Sequence, residues 1–301
     1  MRVAANVMDI GMTLPSMVGG LDRASLLAWC RRVDEGPWST LAIGERIAYP
    51  NVELFTTLAA AAAVTERVQL MATVVVLPAH PAIEVAKMAA TIDVIAAGRL
   101  VLGVGVGGRD EDYRALERSD ARRHQTLDDQ VAVMRRVWAG EPPVDGMHPV
   151  GPLPHQAGGP PLYSGALGPK SMARSARWAS GVTGFLLDPL NEDVAGTFRH
   201  IEGAWTAAGR AEPPRHVTSF WYALGEDAPA RLHAYARRYL GIFGDELAGA
   251  MADACSASSV EAIRTAIERL RDAGCHELIL VPTTTDVREL DVLADAIADL
   301  V

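Results

Sequence analysis

Short apolar runs alternate with longer amphipathic stretches along the chain, and this alternation predicts strands that are each followed by a helix. Residues 68–77 form a β-branched run that stops at Pro78, which is typical of a buried strand. Residues 127–138 instead repeat apolar side chains at the spacing of one helix face. Strands that alternate with helices in this way usually pair in parallel, so the pattern favours an α/β fold.

The apolar runs with strand character cover residues 3–8, 40–43, 68–77, 100–104, 161–163, 182–187, 217–224 and 278–281. Helical spacing covers residues 21–33, 52–64, 83–97, 127–138, 171–179, 194–208, 228–254, 260–273 and 287–300. Eight strand–helix units in 301 residues predict a (β/α)8 TIM barrel that forms one domain over residues 1–301. An open doubly wound sheet is the alternative.

The composition narrows the possible function classes. A formal net charge of -9 argues against binding to nucleic acid or to an anionic membrane surface, because both require a basic patch. No apolar stretch reaches the roughly 18 residues that a membrane-spanning helix needs. Cys30, Cys255 and Cys275 are widely spaced and the histidines form no metal-binding pair, so we expect neither a metal site nor a disulfide framework. We therefore expect a cytoplasmic protein with reduced thiols.

The active site of a barrel lies at the carboxyl ends of its strands, so the residues that follow each apolar run are the candidates for chemistry. These candidates are residues 8–9, 45–46, 73–74, 105–110, 164–170, 187–188, 221–222 and 282–283. Of the 8 histidines, only His80 is near the predicted mouth, and we interpret it as a loop residue.

The segment after the fifth predicted strand has the features of an anion site. Its glycines leave backbone N–H groups accessible, and its proline suits the first turn of a helix whose N-terminus attracts anions. A lysine at its end would add a full positive charge. A plain turn that needs glycine for its φ angle explains the same residues equally well. The segment consists of Ser164, Gly165, Ala166, Leu167, Gly168, Pro169 and Lys170.

Two other segments at the predicted mouth each have two interpretations. Residues 103–108 match G-x-G-x-x-G, but three strand–helix units precede them. We therefore interpret this segment as small residues that let a flat ring approach the backbone, and not as the motif of a dinucleotide-binding fold. Glu45 and Arg46 follow the second strand. They can bind a polar ring edge or tune a proton donor, or they can form a rim ion pair that contributes little.

Several strings in order along the chain resemble the luciferase-like monooxygenase superfamily. They are LAAAAAVTERVQL (58–70), VLPAHP (76–81), AKMAATIDVIAAGRLVL (86–102), the glycine-rich segment 103–108, LDDQVAVMRRVWAG (127–140) and the segment 164–179. The superfamily includes bacterial luciferase, FMN-dependent monooxygenases and deazaflavin-dependent reductases, all built on the eight-stranded barrel. The resemblance covers residues 20–190 well and the remainder more loosely.

The resemblance implies that a flavin-type ring binds in the barrel mouth. The ring would lie against Thr73 and Val74, where relatives carry a non-proline cis peptide, and it would touch Val106, Gly107 and Gly108. The cofactor phosphate would bind at the glycine-rich loop that follows the fifth strand.

The version Gly168-Pro169-Lys170 of that loop is similar to the deazaflavin branch, so coenzyme F420 is favoured over FMN. Many deazaflavin-dependent relatives carry an Asp–His pair after the second strand, whereas this chain carries Glu45 and Arg46. Arginine cannot act as a general base at ordinary pH. The sequence therefore does not support the histidine mechanism of those relatives, and Glu45 becomes the candidate catalytic residue.

The resemblance implies hydride transfer to or from a small organic substrate. An FMN monooxygenase that uses oxygen, a non-catalytic flavin-binding barrel and a barrel enzyme acting on phosphorylated sugars are the alternatives. Relatives dimerise through early barrel helices, and residues 52–64 are apolar on every face and must be covered. We therefore expect a homodimer.

Overall fold

The computed structural model describes residues 8–300, which contain eight strands and eleven α-helices. The strands are all parallel and pair in chain order, and the last pairs with the first to close a barrel. This arrangement confirms the predicted (β/α)8 barrel, and the open doubly wound sheet is wrong. Within residues 8–300, no helix has the length and apolar character needed to cross a membrane.

The strands are β1 (Asp9–Thr13), β2 (Thr40–Ile43), β3 (Gln69–Val76), β4 (Leu100–Gly105), β5 (Leu162–Ser164), β6 (Gly181–Thr183), β7 (Arg215–Tyr222) and β8 (Glu277–Pro282). The helices are α1 (Arg23–Glu35), α2 (Leu54–Val64), α3 (Ala82–Ile95), α4 (Asp110–Ala115), α5 (Arg123–Trp138), α6 (Pro169–Ser175), α7 (Val194–Ala207), α8 (Ala228–Leu240), α9 (Asp245–Asp253), α10 (Val260–Asp272) and α11 (Arg288–Ala296). Two short 3-10 helices cover Leu77–Ala79 and Gly241–Phe243.

The first strand lies later in the chain than its apolar pattern predicted. Residues 3–7 of the expected strand 3–8 lie outside the described residues, and Met8 precedes β1. Asp9 and Gly11 are part of β1 and interrupt its apolar run, which explains the shift. The candidate residues 8–9 were expected at the mouth of the barrel. They lie instead at its amino end.

Three other elements differ from the prediction. The expected helix 228–254 is divided into α8 and α9 by the glycine-flanked turn Gly241–Phe243, and Gly244 has a φ of +87°. The short helix α4 follows β4 without having been predicted. The strand β6 covers only three residues and is shorter than expected, but the chain beyond it still bonds to β7 through the Gly184 and Leu186 N–H groups.

The amino end of the barrel is closed by a satisfied polar network. Glu277 is 2% exposed and accepts hydrogen bonds from Ser39 Oγ at 2.8 Å and from Thr40 Oγ1 at 2.5 Å. Arg215 donates to Asp9 at 2.6 Å and approaches Glu277 at 3.4 Å. Above this network, six buried side chains fill the barrel interior. They are Ala42, Met71, Val101, Tyr163, Val217 and Ile279.

The helix α2 is less apolar on its outer face than its composition suggested. Its buried face includes Leu54 and Leu58, whereas Thr56, Ala60 and Ala63 are exposed. These exposed residues are small, and the homodimer stays a prediction.

The pairing of β3 with β4 leaves no space for a side chain at Gly103. A Cβ atom at this position would lie 2.3 Å from the carbonyl oxygen of Ala72 and 3.1 Å from Val74 Cγ1. Because a backbone carbonyl cannot turn away, we expect Gly103→Ala to separate the strands and to lower the free energy of unfolding by about 1–3 kcal/mol in a urea titration.

The matched control is Gly203→Ala in α7, where no atom lies within 4 Å of the added Cβ. That variant should be unchanged or more stable by up to about 1 kcal/mol, because alanine favours the helix. Equal stabilities for the two variants would contradict the close approach of β3 and β4.

Candidate active site

The carboxyl ends of all eight strands surround one cavity of about 480 Å³, a volume that suits a small-molecule ligand. Each strand contributes residues at or just after its end. They include Thr13, Leu14, Gly44, Glu45, Arg46, Thr73, Val74, Val106, Gly107, Gly108, Arg109, Gly165, Thr183, Phe185, Ser219, Trp221 and Val281. All five predicted ring-binding residues therefore line a single space, which we call the central cavity.

A second cavity of about 220 Å³ adjoins the central cavity, and we call it the side cavity. The loop after β5 and the helices α5 and α6 form its walls. Gly105, Val106, Gly165 and Leu167 line both spaces, so the two cavities share one boundary. An elongated ligand can place one end in each of them.

The wall between β3 and β5 is shaped around Val74. The peptide bond between Thr73 and Val74 is cis, as the resemblance implied, and the β3–β4 register shifts between Ala72 and Val75. A Cβ atom at Gly105 would lie 2.9 Å from Val74 Cγ2, and one at Gly165 would lie 3.3 Å from the same side chain. These glycines therefore let the neighbouring strands pack closely on Val74.

The loop after β5 divides into a part that lines the side cavity and a part that does not. Ser164 and Ala166 line it, and Ser164 Oγ is bonded to Ser175 Oγ at 2.6 Å. Ser171 Oγ accepts from the Gly168 N–H at 3.1 Å and donates to its carbonyl at 2.8 Å, which fixes the first turn of α6. Within residues 8–300, no acceptor forms a hydrogen bond with the backbone N–H groups of Ala166 and Leu167.

The predicted cation of this loop lies at its outer edge. Pro169 and Lys170 are exposed, and neither they nor Gly168 line either cavity. The side chains that bring positive charge to the side cavity are instead Arg123 and Arg174.

Neither of these arginines was predicted from the sequence. Arg123 lies 3.2 Å from Asp120, and Arg174 forms an ion pair with Asp128 and donates to the His124 carbonyl at 3.0 Å. The helix α5 begins four residues before its apolar stripe, so its first turn was not recognised. The packing of α5 beside α6 is a tertiary contact that no local pattern reports.

Glu45 lies on the wall of the central cavity with its side chain 5% exposed. Its Oε2 accepts a hydrogen bond from the Val76 N–H at 2.6 Å, and its Oε1 is 3.0 Å from His80 Nε2. Arg46 turns away and stacks on Tyr49, with its guanidinium carbon 4.2 Å from the ring centroid. The interpretation of Glu45 and Arg46 as a rim ion pair is therefore wrong.

A carboxylate–imidazole pair is thus assembled from two separate segments of the chain. His80 lies behind Glu45, outside the central cavity, and its side chain is 19% exposed. Burial alone lowers the pKa of His80, but the hydrogen bond and the negative charge of Glu45 outweigh it, and the net pKa is raised. The histidine was interpreted as a loop residue, and only the folded chain places it against Glu45.

Residues 8–292 match the luciferase-like monooxygenase family. The chain belongs to this family. It is similar to the pyrimidine monooxygenase RutA of Allorhizobium ampelinum, with 43% identity over 93 residues, which are 29% of this chain and 25% of that protein. This chain therefore spans about a quarter of the length of the pyrimidine monooxygenases that it matches.

Solved structures of this luciferase-like type share the whole fold. An F420-dependent secondary alcohol dehydrogenase in complex with an F420–acetone adduct superposes with a TM-score of 0.78 and 17% identity, covering 98% of this chain and 99% of that one. The oxygenating constituent of 3,6-diketocamphane monooxygenase from Pseudomonas putida, in complex with FMN, superposes with a TM-score of 0.72 and 15% identity, and the match covers 98% of each chain. At these identities the likeness shows the barrel alone.

The Glu45–His80 pair of this luciferase-like barrel gives a direct prediction. In Glu45→Gln the amide oxygen can still accept from the Val76 N–H, but the negative charge beside His80 is lost. Since burial remains, the pKa of His80 should fall below that of the unchanged protein, as measured by an NMR titration of its ring protons. His216, whose pKa burial lowers, serves as the internal reference and should not move.

The same change should alter stability in a defined pH range. The raised pKa of His80 stabilises the fold fully below its ordinary pKa of 6.5, and this contribution is lost as the pH rises through the folded-state value. The stability difference between the unchanged protein and Glu45→Gln should therefore shrink as the pH rises through that range. A constant difference, or an unchanged His80 titration, would contradict the pair.

Proposed function

We propose that this chain is a flavin- or deazaflavin-dependent oxidoreductase that transfers a hydride between its bound cofactor and a small organic substrate. The observation that carries the proposal is the pairing of the two cavities. The central cavity offers open backbone at the carboxyl ends of the strands, and the side cavity offers N–H groups and arginines. A cofactor that carries a flat ring and, one linker away from it, a phosphate fits this pair.

The residues of the central cavity fit the ring. Gly107 has a φ of +62°, which favours glycine, and no atom lies within 4 Å of a Cβ built on Gly108. At Gly108, therefore, no side chain separates the backbone from the cavity. We propose that the ring lies against residues 106–108 and against Thr73 and Val74.

The residues of the side cavity fit a phosphate. The backbone N–H groups of Ala166 and Leu167 donate to no acceptor within residues 8–300, and Arg123 and Arg174 supply positive charge. Charge-assisted hydrogen bonds of this kind are among the stronger ones in proteins. Lys170 adds its charge from the outer edge of the same loop.

The charge balance of the side cavity favours coenzyme F420 over FMN. Asp120 and Asp128 already compensate Arg123 and Arg174, so the net positive charge offered to a ligand is small. The phosphate of FMN is a monoester that carries about 1.5 to 2 negative charges at pH 7. The phosphate of coenzyme F420 is a diester with a single charge, so this phosphate needs less positive charge from the side cavity than the phosphate of FMN does.

The reaction divides between the cofactor and the chain. The bound cofactor supplies the hydride chemistry, and the protein supplies position, electrostatics and exclusion of water. Val106, Gly107 and Gly108 would orient the ring. The carboxylate of Glu45 lies at the cavity wall as a proton acceptor, and His80 behind it fixes the orientation of this carboxylate.

A monooxygenase that uses FMN and oxygen is the second candidate. The family description and the similar pyrimidine monooxygenases both name a monooxygenase, and the similar 3,6-diketocamphane monooxygenase is in complex with FMN. The test is an equilibrium titration of the protein with coenzyme F420 and with FMN, followed by fluorescence, and then turnover with oxygen present or absent. We expect tighter binding of F420 and no oxygen requirement. Preference for FMN with oxygen consumption would support the monooxygenase. If neither cofactor binds, the proposal fails.

The placement of the phosphate predicts different effects for two positively charged residues. Arg174→Ala removes a charge-assisted partner from the side cavity and should weaken cofactor binding by about 1–3 kcal/mol. Lys170→Ala removes the same charge from an exposed position and should cost less than about 1 kcal/mol. Isothermal titration measures both affinities, and thermal unfolding checks that Arg174→Ala remains folded. Equal losses would contradict the placement.

A further inference from the structure

Two arginines in the central cavity lack the partners that buried charges need. Arg46 is 8% exposed and Arg109 is 9% exposed, and both line the cavity. Arg46 Nε and Nη1 and Arg109 Nη1 are buried and find no hydrogen-bond partner in the described part of the chain. Among residues 8–300, no carboxylate forms an ion pair with either side chain.

The two guanidinium groups repel each other and are held by aromatic rings. Tyr239 lies between them, with its ring centroid 5.2 Å from the guanidinium carbon of Arg46 and 4.8 Å from that of Arg109. The Tyr239 carbonyl accepts from Arg109 Nη2 at 3.1 Å. Burial lowers the pKa of Arg46, and the charge of Arg109 lowers it further. A buried pair of like charges costs free energy unless an anion completes it.

The local charge count limits the anion that fits. Asp112 also lines the cavity, but its Oδ1 is engaged by the Ile47 N–H at 3.0 Å and the Ala48 N–H at 2.7 Å. The other carboxylate of the cavity, Glu45, is bonded to a backbone N–H and lies against His80. Asp112 is thus the carboxylate that acts on the two guanidinium groups, and one positive charge remains uncompensated beside them. A monoanion therefore neutralises the site, and the planar fork of arginine matches a carboxylate in particular.

The neighbouring surface suits a flat apolar group. The Trp221 ring packs against Phe185 at 4.6 Å and against Tyr239 at 5.1 Å between centroids, and all three lie at the cavity. Rings of this kind bind apolar and aromatic bodies over a large area.

We propose that the substrate of this enzyme is a carboxylic acid with a flat apolar body, and that Arg46 and Arg109 bind its carboxylate. The inference rests on the proposed function, since it takes the anion for the substrate and not for the cofactor. The phosphate of the cofactor is assigned to the side cavity, so the two arginines remain available to the substrate.

The test compares carboxylates with their neutral amides. The whole protein is titrated by calorimetry with benzoate, phenylacetate and 3-phenylpropionate, and with the three corresponding amides, in the presence and absence of cofactor. We expect at least one acid to bind at least tenfold more tightly than its amide. Arg46→Met and Arg109→Met should each remove this preference, whereas Arg114→Met, which removes an exposed charge from the neighbouring helix α4, should retain it.

A second readout separates a binding role from a structural one. Arg46 Nε and Nη1 are buried without a hydrogen-bond partner among the described residues. The replacement of Arg46 by an apolar side chain of similar length should therefore raise the melting temperature of the ligand-free protein by about 2 °C or more. A lower melting temperature in Arg46→Met would make the arginine a structural residue and would overturn the proposal.

Two other outcomes separate this inference from the proposed function. If F420 or FMN binds but no acid is preferred over its amide, the carboxylate site is wrong and the cofactor assignment stands. If both arginine variants lose cofactor affinity and keep the preference for acids, the arginines serve the cofactor and the proposal is overturned. If neither cofactor binds while the preference for acids is present and lost in both variants, the proposed function fails and the anion site stands.

Discussion

Each strand of the barrel runs parallel to its neighbours, and β8 pairs with β1, so the carboxyl ends of all eight strands meet at one mouth. Segments far apart in the chain are thereby forced into contact. Glu45 follows β2 and His80 follows β3, yet their side chains lie 3.0 Å apart. The ring site, the side cavity and the two buried arginines all depend on this closure.

Buried charged groups have hydrogen-bond partners at the amino end of the barrel but lack some of them at the mouth. At the amino end, Glu277 is satisfied by hydroxyl groups and lies near Arg215, and the network stabilises the fold without a ligand. At the mouth, Arg46 and Arg109 keep N–H groups that find no partner within residues 8–300, in a cavity partly lined by aromatic rings. Native folds usually satisfy such groups, and departures from that rule concentrate at functional sites.

The barrel was predictable from the sequence because its signal is periodic and repeated. The strand β2 and the end of helix α5 at Trp138 lie where the apolar pattern placed them. The strand β1 was misplaced because Asp9 and Gly11 break the pattern that identifies a strand. Periodicity therefore reports burial, and it fails where a strand carries a polar or small residue for another reason.

The candidate site was less predictable than the fold. The position of a residue after a strand indicated that Glu45 lies at the mouth, but it did not reveal that His80 is its partner. The direction of the Arg46 side chain depends on Tyr49 and Tyr239, which come from distant segments. Pairings of this kind are tertiary, and a single sequence contains no local signal for them.

A crystal structure of the protein with its preferred cofactor bound tests the central claim most directly. We expect the ring over Val106, Gly107 and Gly108, and the phosphate within hydrogen-bonding distance of the N–H groups of Ala166 and Leu167. A phosphate bound by Arg46 and Arg109, or a ring outside the central cavity, would contradict the assignment of the two cavities.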